Sequence, residues 1–598
     1  MIDRIKSRRD GKLAMFLEAT EGFAAADLAR KKLGPDAPAV LPAEMLEFAD
    51  AAGDMVVAVR SGSAAARSVA KLLDVRVPKL PAGGYRIRCV SGRGRKVLLI
   101  VGGDTFGMLA GMSDALLHSE VGPKALVYRG GEKTEKPAFG LRFYWTWDHS
   151  TNWMLDDPGM QYQGCTNPYT KRPETYIEDY RRLVDHCIDM RFNAIIIWGF
   201  LRDSHGGERY AYEVAEYAAQ RGVAIMPGVG TTGYGGVYYE GNHPCNIETY
   251  LAQHPKRGNM SEDGTYAVRQ SSPYCPENIE WMDRAMDWLL SEFPIGGVNL
   301  ENSDLMVDYS AAGKRGRKKL RTGEPDFLKD QYFAYKSALG VCERLCPQAW
   351  NTYATYCGFG TGGQAANAGA NMGREPYFAK HMPPSAIAMW TLTGMVREQP
   401  VPLRSWMDSP APKGIYENPN WPRGLCPPTP RSAGFLHQAS QWHRRFPRLR
   451  RGDIAISTFA EGCLRSHQAG LEGIGVHGEV SSCEMPWLVN YLAMRHWTYH
   501  PKSTLAEFAA AELAVRLGGE KEAMAFVDCL CDLDEGKIGQ RLADKAWRYA
   551  GQLYPRNFPP SGDVRRFRIW EQLMELNERI DVSTRRPYEV GYAPANIE

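Results

Sequence analysis

From Phe139 onward, short continuous apolar runs alternate with longer stretches whose apolar residues recur every three or four positions. Runs of the first kind read as strands buried on both faces, and stretches of the second kind as amphipathic helices. Eight runs stand out: Leu141–Trp147, Ala194–Trp198, Val223–Pro227, Gly297–Glu301, Trp350–Tyr356, Ala386–Thr391, Ile454–Thr458 and Gly473–Glu479. Helical stretches such as Glu174–Met190, Tyr210–Gln220, Asn278–Ser291 and Gln331–Leu345 fit between them. Eight strand–helix repeats predict an α/β fold built on a (β/α)8 barrel, with a doubly wound open sheet as the competing architecture.

The flanks read differently. Before the barrel, strand-like runs at Leu13–Glu18, Met55–Arg60, Tyr85–Val90, Lys96–Val101 and Ala125–Tyr128, with a helix-like Thr105–Leu117, predict a small α/β unit over 1–135. Its Gly102-Gly103-Asp104 lacks the glycine spacing and the Lys-Ser/Thr of a phosphate loop and reads as a tight turn. After the barrel, expected over 136–498, the pattern is helical. Trp487–Trp497 completes the barrel, and Thr504–Arg516, Lys521–Leu530 and Val564–Ile580 form a helical region over 499–598.

Composition narrows the classes. A chain of 598 residues exceeds one ordinary core, which agrees with several units. No apolar run is long enough to cross a membrane, so no membrane partner is expected. A formal charge of +3 supplies no global field for nucleic acid. Thirteen Cys, an odd and scattered set, read as free thiols of a reducing compartment. Met1–Lys12 is charged and lacks the apolar segment of a secretion signal. The expected location is therefore the cytoplasm. No cofactor is called for, and nothing in the pattern speaks to oligomeric state.

In a barrel every strand ends at one opening, so the residues there can be collected. The first strand contributes Trp145, Trp147, Asp148 and His149, and the second Trp198 and Arg202. The fourth closes on Glu301 and Asp304, the fifth offers Tyr353 and Tyr356, and the sixth Trp390. The last two offer Glu461, His477 and Glu479. Aromatic faces stack on sugar rings, and carboxyl groups bond hydroxyls or serve as acid and base. Two carboxyl groups are the minimum apparatus for breaking a glycosidic bond. Each residue alone has a bland explanation in core packing or helix capping; their convergence points to a carbohydrate substrate.

The passage Val97–Met112, the Trp-Asp-His core of Arg142–Trp153, Tyr180–Val184 with Asn193–Ile197, and Tyr491–Pro501 together resemble a group of glycoside hydrolases. These are the α-glucuronidases, β-hexosaminidases and α-N-acetylglucosaminidases, which carry a small α/β domain before their barrel. The resemblance implies a general acid at the end of strand four, on Glu301 or Asp304, with Glu301 nearest the strand end. It also departs from the pattern. Further α-glucuronidase carboxylates after strands five and six are replaced here by Tyr353, Tyr356 and Trp390, and the adjacent acidic pair of β-hexosaminidases by Glu301-Asn302-Ser303-Asp304.

Glu301 would then deliver a proton, held neutral by the charge of Asp304, with Glu461 or Glu479 as partner. A partner about 5 Å away implies retention, and one at about 6.5–9.5 Å implies inversion. A substrate acetamido group oriented by Asp304 is the third route. Long loops after strands three and four favour exo action. A non-catalytic carbohydrate-binding barrel and a metal-dependent lyase or isomerase are the competing classes.

Other features carry less. Lys314–Arg321 is a basic run in the loop after strand four, read chiefly as a mobile solvated loop and secondarily as an attractor of anionic sugars. A second run, Arg444–Arg451, is expected before strand seven on the opposite face. His243, Cys245, His254 and Cys275 are zinc-type residues at irregular spacing and read as ordinary loop residues, a structural zinc being the minority reading. Gly228–Gly236 reads as a flexible loop over the mouth.

Overall fold

The computed structural model describes residues 3–6, 13–34, 38–46, 53–92, 94–122, 124–147, 173–302, 306–320, 326–354, 381–391, 401–413, 431–436, 455–477, 488–537 and 539–553. Eight parallel strands close into a barrel. In chain order they are Leu141–Trp147, Ala194–Trp198, Ala224–Val229, Gly297–Leu300, Trp350–Ala354, Ile387–Thr391, Arg431–Leu436 and Gly473–His477. Strand eight returns to strand one with Leu141 opposite Gly473.

The strands alternate as barrel geometry requires. Phe143, Trp145, Ile196, Trp198, Met226, Ile387, Met389 and Phe435 share the interior cluster. Their neighbours Tyr144, Ile195, Ile197, Ala388 and Leu436 join the layer beneath the helices. Large residues on strand one are matched by glycines on strand eight. A Cβ on Gly475 would sit 2.2 Å from the Phe143 ring. Gly296 and Gly297 do the same for backbone, since Cβ atoms there would reach Ala224 and the Trp350 carbonyl.

One strand was misplaced by pattern. Strand seven is Arg431–Leu436, and Ile454–Thr458 is not a strand, because a helix runs from Ile456 to Gln468. Ile456, Phe459, Ala460, Cys463 and Leu464 are all buried. Their spacing is that of one helical face, and packing this stripe on the barrel outweighs the β-branched start. Arg444–Arg451 thus follows strand seven in chain order rather than preceding it, and lies outside the described residues.

The N-terminal part holds a six-stranded sheet, ordered in space Ala39–Pro42, Ala14–Leu17, Met55–Arg60, Arg95–Gly102, Tyr85–Gly92, Lys133–Glu135. A three-stranded sheet of Asp3–Lys6, Ala125–Tyr128 and Ser119–Gly122 accompanies it. The Gly102–Asp104 turn is a capped helix start: Asp104 accepts from the Gly107 N–H at 2.7 Å and from Gly83 at 3.1 Å. The helix it starts, Thr105–Leu117, packs on this sheet and on the first barrel helix, Pro173–Met190.

Beyond the barrel, Leu488–Trp497 lies against both Ile456–Gln468 and Pro173–Met190. Thr504 then starts the next helix with a reciprocal cap, its hydroxyl accepting from the Glu507 N–H and its own N–H donating to the Glu507 carboxylate. Glu520–Asp534 and Gln540–Leu553 follow, while the expected Val564–Ile580 helix lies outside the described residues. Among the described residues no helix is long and apolar enough to cross a membrane, and nine cysteines are free.

A buried charge cluster joins these parts. Asp114, on Thr105–Leu117, meets Arg495 at 2.9 Å, Lys133 at 2.9 Å and Arg191 at 3.5 Å, and accepts from the Tyr85 hydroxyl at 2.9 Å. Glu135 sits opposite Arg191 at 3.6 Å and the His500 ring at 2.7 Å. Arg495 also pairs with Glu512. N-terminal helix, edge strand, barrel and C-terminal helices therefore share one set of counter-charges.

Candidate functional site at the end of strand four

Strand four does not stop at Leu300 in hydrogen-bonding terms. The Glu301 N–H donates to the Val229 carbonyl at 3.1 Å, one further step along the ladder with strand three. Alternation therefore sets Glu301 on the face of Asn299, which is the barrel interior. It is 9% exposed, so it is mostly withdrawn from water yet still accessible.

Beneath it lies a polar and aromatic floor. Asn299 is fully buried, and its Oδ1 accepts from Trp198 Nε1 at 3.2 Å while its Nδ2 donates to Thr352 Oγ1 at 3.0 Å. Strands two, four and five are thus cross-linked directly under the carboxyl group. The Trp198 ring lies 6.4 Å from Trp145, and the edge of Tyr234 meets it at 5.5 Å. Trp145, Trp198 and Glu301 are the sequence candidates that the fold brings to one place.

Asn302 fixes the wall. Its N–H donates to the Tyr335 hydroxyl at 3.0 Å, its Oδ1 accepts from the Thr232 N–H at 3.0 Å, and its Nδ2 donates to Thr231 Oγ1. The loop over the mouth is therefore not the flexible segment its glycines suggested. Thr231 and Thr232 are pinned to strand four, the Ser271 N–H reaches the Thr232 carbonyl at 2.8 Å, and Ile247 bonds Gly235 at 2.9 Å. Its glycines serve conformation, since Tyr234, Gly235 and Gly236 take φ of 48°, 75° and 81°. Asn299 and Asn302 were not singled out from sequence. The available signal was an amide inside an apolar strand, which must find partners when buried.

Gly228 serves space instead. A Cβ there would lie 2.4 Å from the Trp198 ring, itself held by Asn299 and Tyr234. Gly228→Ala is expected to cost about 1–3 kcal/mol of stability by overpacking. It should also perturb Trp198 fluorescence, and a urea titration with emission detection checks both.

Arg202 is at the rim but already engaged. It pairs with Glu240, and its guanidinium lies 5.5 Å from the Tyr239 ring centre. Its role in the structure is to hold that ring, which packs against the barrel interior.

Other candidates fall elsewhere. Tyr353 and Trp390 alternate out of the barrel into the layer beneath the helices, Tyr353 with its ring 5.9 Å from Tyr335. Neither stands over the mouth. Burial pushes the Tyr353 phenol up. Glu461 is not at a strand end at all: it is fully buried on the Ile456–Gln468 helix, 2.9 Å from Arg465. Asp148, His149, Asp304, Tyr356 and Glu479, with the side chains of Trp147 and His477, lie outside the described residues.

The zinc-type residues make separate contacts. His243 stacks on Tyr238 at 4.3 Å and accepts from the Cys245 N–H at 3.1 Å. Cys275 donates to Glu277 at 3.0 Å, and His254 meets Tyr250 edge-on. Among the described residues no three His, Cys, Asp or Glu side chains converge as a metal site. Lys314 to Leu320 of the basic run is no loose loop either, for it lies in the helix Ala311–Leu320 with Arg317 buried in it.

No family model and no curated protein matches this chain. Among solved structures it is similar to a GH138 enzyme targeting pectin rhamnogalacturonan II, at 10% identity and TM-score 0.50, over 88% of this chain and 56% of that one. It is also similar to the GH20 β-N-acetylhexosaminidase of Streptomyces coelicolor A3(2), at 12% identity and TM-score 0.46, over 88% and 95%. A β-N-acetylhexosaminidase from Bacteroides fragilis follows, at 14% identity and TM-score 0.40, over 65% and 69%. At these identities the likeness is one of fold: a (β/α)8 barrel behind an N-terminal α/β region.

Proposed function

We propose that this chain is a glycoside hydrolase in which Glu301 is the general acid. The observation that carries the reading is the placement of Glu301 on the interior face at the end of strand four. It follows Asn299 on the same face, Asn299 holds Trp198 with Trp145 beside it, and the 228–236 loop is pinned to the adjacent Asn302. A carboxyl group withdrawn from water beside aromatic faces suits proton delivery to the leaving oxygen of a bound sugar. Tyr234, half-buried against Trp198, would pack on the ring, and the fastened loop would close the pocket on one side, in keeping with exo action. The neighbouring folds named above include enzymes acting on N-acetylhexosaminides and on pectin, so both classes belong in the test.

Hydrolysis of a panel of aryl glycosides and oligosaccharides, with uronides and N-acetylhexosaminides included, tests the proposal. Turnover of one sugar class is the expected result, and the product anomer read by NMR separates retention, inversion and participation by a substrate acetamido group. Sugar binding without turnover on any member would favour a binding barrel and contradict it.

A further inference from the structure

We infer that the exposed face of the helix Ala311–Leu320 is a docking surface for an anionic glycan, carboxylated or sulfated, beside the mouth of the barrel. The inference deepens the glycosidase reading and rests on it for the identity of the pocket.

Lys314, Arg315, Lys318 and Lys319 are all exposed, whereas Gly313 and Arg317 are buried. At about 100° per residue the four cations span about 140° of the helix surface, with the buried positions on the other side. The division of labour among like charges is sharp. Arg317 donates to the Asp308 carbonyl at 2.8 Å and to Asp330 at 2.9 Å, and it faces Asp326 at 3.3 Å. The other four make no ion pair among the described residues. Elsewhere on this near-neutral chain exposed cations commonly do find carboxylates, as Arg404 does with Asp532 and Glu535. A row of exposed cations fixed on one helix gives a local positive field that a flexible tail would spread out.

The row is also built into the mouth. Asn302, next to Glu301, bonds Thr232, and the Thr232 carbonyl accepts from Ser271. Ser272 donates to Asp308 at 2.5 Å, and the Asp308 carbonyl receives Arg317. A short chain of hydrogen bonds thus fixes the helix to the end of strand four. Gly316 completes the fit, since a Cβ there would come within 2.3 Å of the Tyr274 ring. A polymer whose terminal sugar enters the pocket would run its following residues along this rim, where negative groups meet four cations.

Anisotropy of a labelled oligogalacturonate, a sulfated oligosaccharide, a neutral xylo-oligosaccharide and a short single-stranded DNA, each titrated with the full chain across a salt series, tests this. The two anionic glycans separate carboxylate from sulfate recognition. Expected is salt-dependent binding of at least one of them. Affinity should fall about tenfold in a variant carrying Lys314→Ala, Arg315→Ala, Lys318→Ala and Lys319→Ala, with Arg317 kept. Binding as tight to the neutral glycan or to the DNA, or affinity unchanged in the variant, would overturn it. Turnover of the small aryl glycosides in the panel above reads the glycosidase proposal independently of this one.

Discussion

Glu301→Gln is expected to lower kcat on a cleaved glycoside by about 10²–10⁴-fold, the range one positioned acid contributes. The amide keeps the shape and the hydrogen-bonding capacity of the carboxyl group but cannot deliver its proton. The backbone bond from residue 301 to Val229 does not involve the side chain, so strand four should stay in register. KM and the urea midpoint are therefore expected to change little. Steady-state kinetics with a denaturation control separates this from simple unfolding, and an unaltered kcat would remove Glu301 as the acid.

The second large effect concerns stability. Asp114 is 1% exposed and neutralises Arg191, Arg495 and Lys133 at once. Asp114→Ala would leave those cations buried with one counter-charge fewer, which costs about 3–5 kcal/mol. Urea denaturation followed by circular dichroism checks it, and a loss below about 1 kcal/mol would mean that water replaces the carboxylate easily. The same cluster predicts acid sensitivity. Burial pushes the Glu135 carboxyl up, but Arg191, the His500 hydrogen bond and Lys133 together outweigh it and lower its pKa to about 2. The folded pKa is depressed, so this stabilisation is full above the ordinary carboxylate range and is lost as pH falls toward 2. A drop in urea midpoint between about pH 5 and pH 2, smaller in Glu135→Gln, is the expected profile.

Much of the barrel was legible because buried parallel strands are written as continuous apolar runs. Ala194–Trp198 and Leu141–Trp147 come out with their predicted bounds. Strand seven was not, because Arg431-Ser-Ala-Gly-Phe-Leu436 is short, small and half polar, while Ile454–Thr458 carries β-branched residues. The helical spacing from Ile456 to Leu464 was present and extends further than the strand-like start. That single exchange moved Glu461 from the mouth to an outer helix. Tyr353 and Trp390 went astray for a different reason. Period-two alternation fixes which strand residues face inward only once the register is known, and both fall on the outer parity. The pinning of Gly228–Gly236 was invisible because its anchors, Asn302 and Ser271, are distant in sequence. The mobile reading of Lys314–Arg321 failed similarly, since Asp308 and Asp330 supply the anchor for Arg317.

A comparison of leaving groups isolates the proton-delivery step at Glu301. An acid is needed when the departing oxygen is basic and hardly at all when it leaves readily as an anion. Wild type and Glu301→Gln would be assayed on a dinitrophenyl glycoside and on the matching alkyl glycoside of the same sugar. Near wild-type kcat/KM on the first and a loss of at least about 10²-fold on the second are expected of the variant. Equal losses of kcat/KM on both would contradict the assignment of Glu301 as the acid.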